Sequence, residues 1–454
     1  MRPLRMSELV SSLQARLVGP DQLFTGVTTD SRSVQPGEIF VALRGQNFDG
    51  HEYLSQVAKS GAAGAVVSKQ QDSSLSMLQV ADTQKALGLI AAYNRALFDG
   101  PLVAITGSSG KTSVKNLISA VLAQRGKTLA TEGNFNNEVG VPLTLLRLTP
   151  EHQFAVVEMG AGAPGDIAWL SELGRPTIAV VLNVMPAHLE GFGSLDAIAQ
   201  TKGAIYDGLD ESSLAIINAD QPWADQWRHR AHPASILDFG LEQAAAISAD
   251  KIISRGLEGV SFTAITPVGD IEIALAVPGK HNVGNALAAI AAGLACELSL
   301  PEIKRGLESV RPVGGRLSTR FTTLGTTVID DCYNANPGSV RAAIDLLASC
   351  PGRRTLMLGA MRELGPDSVE LHRQMGEYAH ARGVERLWGV GPELAPAVQA
   401  FGGESRFFAD TAEANSALPG AFDDEDTVLI KGSRGAQMER VLAAFDSVPA
   451  RETN

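Results

Sequence analysis

A glycine-rich turn between an apolar run and an amphipathic segment constrains this chain more than any other part of its sequence. The run Leu102–Thr106 leads into Gly-Ser-Ser-Gly-Lys-Thr-Ser, after which apolar residues recur at helical spacing as far as Gly126. Strand, glycine turn and helix in this order form a phosphate cradle, because turn N–H groups and the positive helix end point at the anion. The pattern predicts a nucleoside triphosphate site built from Gly107, Ser108, Ser109, Gly110, Lys111, Thr112 and Ser113.

The spacing of the glycines in this turn is unusual. A common P-loop has a glycine five residues before the second glycine of the turn, but Ile105 stands there and Gly107 is the first glycine. The alternative is a turn that merely joins strand to helix. Lys111 and Thr112 at the helix start favour the phosphate site, since the lysine neutralises phosphate charge and the hydroxyl can ligate magnesium.

Composition narrows the class of protein. A chain of 454 residues, 44% of them hydrophobic, predicts a soluble globular protein of roughly two to four domains. A net charge of −12 argues against non-specific nucleic-acid binding, which needs a basic face. The three cysteines form no CxxC pair and fit a reducing cytosol. The N-terminus lacks a signal-peptide run, and the most apolar helix, 286–296, has about half of the ~20 residues that span a bilayer. We expect a cytoplasmic protein without membrane insertion.

Three segments with different patterns predict an α/β fold of three domains, at 1–83, 84–313 and 314–454. The first has short β-like runs around one helix. The second alternates apolar strands with helices, as a parallel sheet covered on both faces does, and turns to antiparallel strands around 250–278. A linker rich in proline and glycine, 311–316, precedes a third segment that reads as a doubly wound, Rossmann-like domain.

Candidate catalytic side chains follow the strands of the second segment. Glu158 ends the run Phe154–Glu158 and could reach a metal held by Thr112, because ligands of open α/β sheets bind at the carboxyl ends of strands. His188 follows another apolar strand; a lone loop histidine is more often structural, but its position at this edge favours function. Lys202 is expected to begin a helix, where the usual interpretation is a solvated side chain.

Polar residues also cluster at a helix start and in two later strand-end loops. Asn282 and Asn285 share a helix face. Either Asn282 caps the helix or the two amides recognise adenine. The later loops are weak signals taken singly, because turns favour such residues. Their candidate members are Asp331, Tyr333 and Asn336 in one loop and Lys431, Ser433 and Arg434 in the other.

In this order the motifs resemble those of the Mur ligases, the ATP-dependent amino-acid ligases of peptidoglycan precursor synthesis. The resemblance covers all three segments. It is carried by TGSSGKTS at 106–113, Glu158, His188, Lys202, HNVGN at 281–285, Gly315-Arg316 and DDCYNANPGS at 330–339.

Within that family, the motifs are most similar to those of the member that adds D-alanyl-D-alanine to UDP-N-acetylmuramoyl-tripeptide. DDCYNANPGS, GNFNNEVGVPLT at 133–144 and KGSR at 431–434 carry this resemblance, and 30–32 with 40–45 resemble a uridine-binding first domain. One departure is Ala360, where relatives often have aspartate. The substrate-binding residues implied are Ser31, Arg32, Arg44, Gly45, Asn134, Asn136, Asn137, Lys431, Ser433 and Arg434.

The resemblance also implies a mechanism. ATP phosphorylates the tripeptide carboxylate, and the dipeptide amine attacks the acyl phosphate. Lys111 would stabilise the phosphates, and Thr112 with Glu158 would hold a first magnesium. Lys202, carbamylated in relatives, would support a second magnesium beside His188. The remaining nucleotide contacts implied are Asn282 and Asn285 at adenine, and Arg316, Asp331, Tyr333 and Asn336, which complete the site when the domains close.

Three other functions compete with this interpretation. A folylpolyglutamate synthetase would begin directly with the ATP domain, whereas this chain begins with a uridine-type segment. Another Mur-type ligase, one that adds a diamino acid, usually carries an Asp-Asn-Pro-Arg motif, and this chain has none. A P-loop GTPase switch needs Asn-Lys-x-Asp, and this chain has no Asn-Lys dipeptide. We expect ATP and magnesium as cofactors, the UDP-tripeptide and D-alanyl-D-alanine as partners, and a monomer.

Overall fold

The first unit of the fold is a small α/β layer. The computed structural model describes residues 1–186, 189–322 and 325–445, without the side chains of residues 189 and 190. A five-stranded sheet has the order β2-β7-β6-β5-β4, and β1 pairs with β3. The strands are β1 (Leu4–Arg5), β2 (Arg16–Val18), β3 (Leu23–Phe24), β4 (Gly26–Thr28), β5 (Glu38–Val41), β6 (Gly64–Val67) and β7 (Ser76–Gln79). The helices are α1 (Val10–Leu13), α2 (Leu54–Lys59) and α3 (Thr83–Arg95).

The middle unit is built on a six-stranded, all-parallel sheet of order β13-β12-β11-β8-β10-β9, flanked by the antiparallel sheet β14-β15-β16. The strands are β8 (Leu102–Thr106), β9 (Thr128–Ala130), β10 (Phe154–Glu158), β11 (Ile178–Val181), β12 (Leu214–Asn218), β13 (Ser235–Phe239), β14 (Ser248–Ser254), β15 (Val260–Thr266) and β16 (Gly269–Leu275). The helices are α4 (Lys111–Leu122), α5 (Gly140–Leu145), α6 (Asp166–Gly174), α7 (Leu189–Phe192), α8 (Leu195–Gly203), α9 (Ala224–Arg230), α10 (His281–Ala295) and α11 (Leu300–Ser309).

The third unit is a second six-stranded sheet, of order β17-β18-β22-β19-β20-β21, in which only β17 runs antiparallel to its neighbour. The strands are β17 (Ser318–Phe321), β18 (Thr327–Asp331), β19 (Arg353–Gly359), β20 (Arg386–Val390), β21 (Glu404–Phe408) and β22 (Asp426–Lys431). The helices are α12 (Pro337–Ala348), α13 (Ser368–Ala381), α14 (Ala395–Ala400), α15 (Thr411–Ser416) and α16 (Glu439–Phe445).

The middle sheet positions the site. Strand β8 is fully buried between β11 and β10, and Glu158 is paired in register with Ile105. Because these strands are parallel, the glycine turn after β8, the end of β10 and the loop after β11 all meet at one edge. The apolar face of α4 is buried in the same core and packs against α10 and α11, so the start of α4 is fixed at that edge.

The predicted α/β fold, with a parallel middle sheet and a Rossmann-like third unit, is confirmed, as is the antiparallel flank. The domain limits at 83/84 and 313/314 stay predictions. Across the described ranges, none of the helices combines the length and apolarity that a bilayer crossing requires.

The predicted helix start at Lys202 is wrong. Lys202 lies in the last turn of α8, which begins at Leu195, and the Ser194 side chain accepts a 3.1 Å hydrogen bond from the Ala197 N–H. A serine N-cap directly before an apolar periodic segment is a helix start signal, and the sequence interpretation overlooked it.

Candidate active site

The phosphate loop, residues 107–113, is held by Asn183, which lies just after β11. Ser108 N–H donates to the Asn183 carbonyl at 3.0 Å, and Ser109 N–H donates to Asn183 Oδ1 at 2.9 Å. Gly110 has φ +81°, and a Cβ there would lie 2.9 Å from Asn285 Oδ1. Both observations require glycine at 110, because the left-handed backbone region and the close approach disfavour any side chain. Asn183 and Asn285 therefore fix the shape of the turn from two sides.

Lys111 folds back over its own turn. Its Nζ donates a 2.7 Å hydrogen bond to the Gly107 carbonyl. Enclosure in the site lowers the pKa of Lys111, the Glu158 charge opposes this shift, and Arg316 adds to it. The ammonium is thus held against the first glycine of the turn.

Glu158 is buried and both of its carboxylate oxygens accept hydrogen bonds. Thr112 Oγ1 donates to Oε2 at 2.8 Å, and Asn136 Nδ2 donates to Oε1 at 2.8 Å. Arg316 Nη2 donates to Thr112 Oγ1 at 3.0 Å. These contacts join the phosphate-loop helix, the neighbouring strand and the third unit around one carboxylate.

The donor set around Thr112 and Glu158 fits magnesium. A hydroxyl and a carboxylate are hard oxygen ligands, and magnesium prefers one or two carboxylates completed by phosphates and water. Among the described residues, no group of three or more His, Cys, Asp and Glu side chains could cage a metal alone. The arrangement therefore suits a cation that arrives with a nucleotide.

Lys202 is a buried amine at the same end of the cavity. Only 4% of its surface is exposed, and it lines the same cavity as Lys111 and Thr112. Burial, followed by the nearby Lys111 charge, holds the pKa of Lys202 well below its usual range. The predicted partner His188 lies outside the described residues.

Two asparagines near the start of α10 are hydrogen-bonded to each other beside the phosphate loop. Asn285 Nδ2 donates to Asn282 Oδ1 at 2.8 Å, and Asn282 Nδ2 donates to the Pro278 carbonyl at 2.7 Å. The alternative that Asn282 caps the helix is wrong, because α10 begins at His281 and Lys280 is at the N-cap position. Both asparagines line the cavity, and their contact with adenine stays a prediction.

The third unit contributes an ordered polar cluster. The Arg316 guanidinium lies over the Tyr333 ring, 4.0 Å from its centroid. Lys431 Nζ donates to Asp331 Oδ2 at 2.5 Å and to the Asn334 carbonyl at 3.0 Å. Burial raises the pKa of Asp331, and the Lys431 charge opposes that shift.

Asn336, a predicted nucleotide contact, is the N-cap of α12. Its Oδ1 accepts a hydrogen bond of 2.8 Å from the Ser339 N–H. Capping stabilises this helix end by about 1 kcal/mol. This side-chain oxygen therefore already accepts a hydrogen bond within α12, although Asn336 still lines the cavity.

A cavity of about 600 Å³ between the middle and third units brings most of the predicted site together. Of the predicted residues that the structure describes, six are not part of its lining: Ser31, Arg32, Arg44, Gly45, Ser433 and Arg434. The predicted residues that do line it are Gly107, Ser108, Ser109, Gly110, Lys111, Thr112, Ser113, Asn134, Asn136, Asn137, Glu158, Lys202, Asn282, Asn285, Arg316, Asp331, Tyr333, Asn336 and Lys431.

Two of the arginines outside this cavity have local partners. Arg32 donates to Asp30 at 2.9 and 2.7 Å, and Arg44 donates to Asp49 at 3.0 Å, so both guanidiniums are held in the loops of the first unit. Buried Ser433 Oγ has no hydrogen-bond partner among the described residues. A binding role for the first unit and for Ser433 stays a prediction.

Sequence reasoning missed two residues of this site. Asn183 ends a predicted strand, and its paired contacts with the phosphate loop could have been suspected from that position. Lys115 stands within the apolar stripe of α4 and is buried. A charged residue on the buried face of a helix is the signal that could have identified it.

Comparison with known proteins decides the family. Three family models match successive parts of the chain: "Mur ligase family, catalytic domain" at 23–95, "Mur ligase middle domain" at 105–293 and "Mur ligase, glutamate ligase domain" at 315–434. The UDP-N-acetylmuramoyl-tripeptide–D-alanyl-D-alanine ligase of Escherichia coli K12 is 42% identical over 447 residues, covering 98% of this chain and 99% of the relative. The chain belongs to the Mur ligase family. It is an ATP-dependent ligase, as the resemblance implied.

Solved structures agree with this assignment. A crystal structure of MurF from Acinetobacter baumannii has a TM-score of 0.93 with this Mur ligase at 33% identity, covering 98% of this chain and 99% of the other. MurF ligase from Thermotoga maritima, solved in complex with ADP, has a TM-score of 0.83 at 28% identity, with 93% and 97% coverage. The three-unit fold is therefore that of solved Mur ligases.

Proposed function

We propose that this Mur ligase joins D-alanyl-D-alanine to UDP-N-acetylmuramoyl-tripeptide and converts ATP to ADP and phosphate. The observation that carries the proposal is the convergence of Thr112, Glu158 and Arg316 on the phosphate loop. This convergence supports a nucleotide site at the junction of two units, in the cavity of about 600 Å³. The named relative of E. coli, matched over nearly the whole chain, supports the choice of substrates.

The proposed reaction has two steps. A tripeptide carboxylate oxygen attacks the γ-phosphorus, the bond to ADP breaks, and an acyl phosphate forms. The dipeptide amine then attacks the carbonyl carbon, loses a proton, and phosphate leaves with the former carboxylate oxygen. Such chemistry depends on alignment and charge neutralisation. Lys111 and Arg316 are the cations positioned to stabilise the transferred phosphoryl group.

We assign magnesium binding to the Thr112 hydroxyl and the Glu158 carboxylate. Bound magnesium neutralises charge on the phosphate oxygens as the phosphoryl group moves. The short distance between the two side chains and the hard oxygen donors support this assignment. Asn136 orients Glu158 by donating to the other carboxylate oxygen, Oε1, so the carboxylate presents a fixed face to the cavity.

Lys202 is the second candidate metal residue, as a carbamate beside His188. Its amine is buried, and no carboxylate among the described residues pairs with it. The neutral amine and carbon dioxide would form a carbamate and release one proton, which changes an uncharged group into an anion. A carbamate would remove the repulsion between Lys202 and Lys111 and could ligate a second magnesium.

The remaining assignments divide the substrates among the units. Asn134, Asn136 and Asn137 are proposed to contact the UDP-tripeptide near the reacting carboxylate. The first unit is proposed to bind uridine through Ser31, Arg32, Arg44 and Gly45. The third unit is proposed to bind the dipeptide through Lys431, Ser433 and Arg434, and Asp331 with Tyr333 to complete the ATP site. We further propose a cytoplasmic monomer.

An omission experiment tests the proposal. Purified protein should release phosphate from ATP only when magnesium, UDP-tripeptide and D-alanyl-D-alanine are all present, and a product of the summed mass should form. Equal release without the dipeptide would contradict the proposal. Tripeptides ending in diaminopimelate and in lysine, assayed side by side, identify the natural third residue.

A further inference from the structure

Lys115 is a buried cation close to the site that the proposed mechanism does not use. It lies one helical turn after Lys111 on α4, is 4% exposed, and is not part of the cavity lining. Its Nζ donates to the Thr131 carbonyl at 2.7 Å and to the Gly133 carbonyl at 3.4 Å. Burying an ammonium costs stability unless acceptors surround it, so this contact is built into the fold.

The segment that Lys115 holds, residues 131–137, is here called the asparagine loop. Its beginning and end both hold Glu158. Thr131 Oγ1 accepts from the Glu158 N–H at 3.0 Å, and Asn136 Nδ2 donates to Glu158 Oε1 at 2.8 Å. The Asn136 carbonyl also accepts from the Gly160 N–H at 2.7 Å. The loop is therefore fixed against β10 and the residues that follow it by these hydrogen bonds, and against α4 by Lys115.

The charges of Lys115 and Glu158 also link these two residues. Burial lowers the pKa of Lys115, and the Glu158 charge opposes that shift. The ammonium and the carboxylate thus stabilise each other across the loop without direct contact. A neutral side chain at 115 would leave the buried Thr131 carbonyl without this donor and Glu158 without this charge.

We propose that Lys115 is a positioning residue of the ligase reaction. By tying the phosphate-loop helix to the asparagine loop, it sets the Asn136 amide and the Glu158 carboxylate relative to the phosphate loop. This inference rests on the proposed function, which assigns Asn136 to the UDP-tripeptide and Glu158 to magnesium.

Lys115→Met tests the inference, because methionine keeps an unbranched chain but removes the charge and the donors. KM for the UDP-tripeptide should rise at least about tenfold and kcat should fall, as displacement of positioning groups predicts. The Kd of ATP measured without the other substrates should stay within about threefold, since the loop 107–110 and Lys111 are untouched. Lys115→Arg, which keeps charge and donors, should restore KM to within about threefold of wild type.

Two further variants separate positioning from general damage. Lys127→Met removes an exposed lysine that pairs with Glu151 and should leave KM and kcat unchanged. In a double-mutant cycle, Lys115→Met combined with Asn136→Ala should cost no more than the larger single change, because both act through one loop. If Lys115→Met does not fold, Lys115→Gln, which keeps one amide donor, is measured in the same way.

The outcomes distinguish the two proposals. A wild-type protein without dipeptide-dependent phosphate release contradicts the proposed function. An active wild type with a Lys115 variant whose KM stays within about twofold contradicts the inference alone. A variant that weakens ATP binding as much as it raises KM also overturns it, since the effect would then come from the whole helix.

Discussion

The Thr112 hydroxyl donates a 2.8 Å hydrogen bond to Glu158 Oε2 and accepts one of 3.0 Å from Arg316 Nη2. Thr112 lies in the first turn of α4, Glu158 ends the adjacent strand β10, and Arg316 lies just before β17, in the sheet of the third unit. One hydroxyl therefore connects the phosphate loop to both the Glu158 carboxylate and the third unit.

Removing this hydroxyl while keeping its shape should abolish most of the activity. Thr112→Val is expected to lower kcat by at least ~2 orders of magnitude, as loss of electrostatic stabilisation does. Thr112→Ser keeps the hydroxyl and should stay within about tenfold of wild type. The measurement is ADP formation at saturating substrates. A valine variant as active as the serine variant would show that the hydroxyl has no role.

Gly110 should not tolerate a side chain. Its φ of +81° costs an alanine about 1 kcal/mol, and the new Cβ would stand 2.9 Å from Asn285 Oδ1. We expect Gly110→Ala to raise the Kd of ATP at least about fivefold. Gly208→Ala is the matched control, because Gly208 is exposed and has nothing within 4 Å of its Cβ position. Equal affinities of the two variants would contradict the proposed cradle.

Lys202→Ala should be inactive and partly rescued by small carboxylates. An added carboxylate can occupy the space of the carbamate and replace its negative charge. Rescue should depend on carboxylate concentration and should not occur with chloride at the same ionic strength. Lys111→Ala serves as a control that carboxylates should not rescue. No rescue at any concentration would count against the carbamate.

The stability of the third unit should fall in mild acid through His372. His372 is fully buried, accepts a 3.0 Å hydrogen bond from the Met361 N–H, and donates from Nδ1 to the Ser368 carbonyl at 2.7 Å. Burial lowers the pKa of His372 below its ordinary 6.5, so the native state favours the neutral ring. Its contribution is complete above the pKa of the unfolded chain and is lost as pH falls through the native pKa.

His372→Gln tests this pH dependence. Glutamine keeps an acceptor for the Met361 N–H but cannot be protonated in this range. The free energy of unfolding, followed from about pH 8 to about pH 5, should decline less in the variant than in wild type. Parallel curves would mean that other groups cause the acid loss.

Much of the site could be predicted because parallel strands bring their carboxyl ends to one edge. Local patterns predict Gly107, Glu158 and the pair Asn282 and Asn285 as site residues, and the structure places all of them around one cavity. The Arg316 contact could be expected only from the family resemblance, since Thr112 lies 204 residues away. Local sequence patterns do not reveal a contact between residues so far apart in the chain.

The parts that sequence reasoning missed depend on packing. The acceptors of Lys115 are backbone carbonyls of a loop, which leave no mark on residue type. Asparagine is a residue type that often caps helices, but the Asn282 side chain already forms hydrogen bonds with the Pro278 carbonyl and with Asn285. A residue type that favours helix caps need not cap a helix when nearby groups of its own segment already hydrogen-bond its side chain.

The central claim is that the tripeptide carboxylate is activated as an acyl phosphate, and oxygen-18 transfer tests it most directly. With both carboxylate oxygens of the UDP-tripeptide labelled, ligation to D-alanyl-D-alanine should place one label in the released phosphate and leave one in the new amide. Mass spectrometry of the phosphate reads the result. Unlabelled phosphate formed together with ligated product would contradict the account.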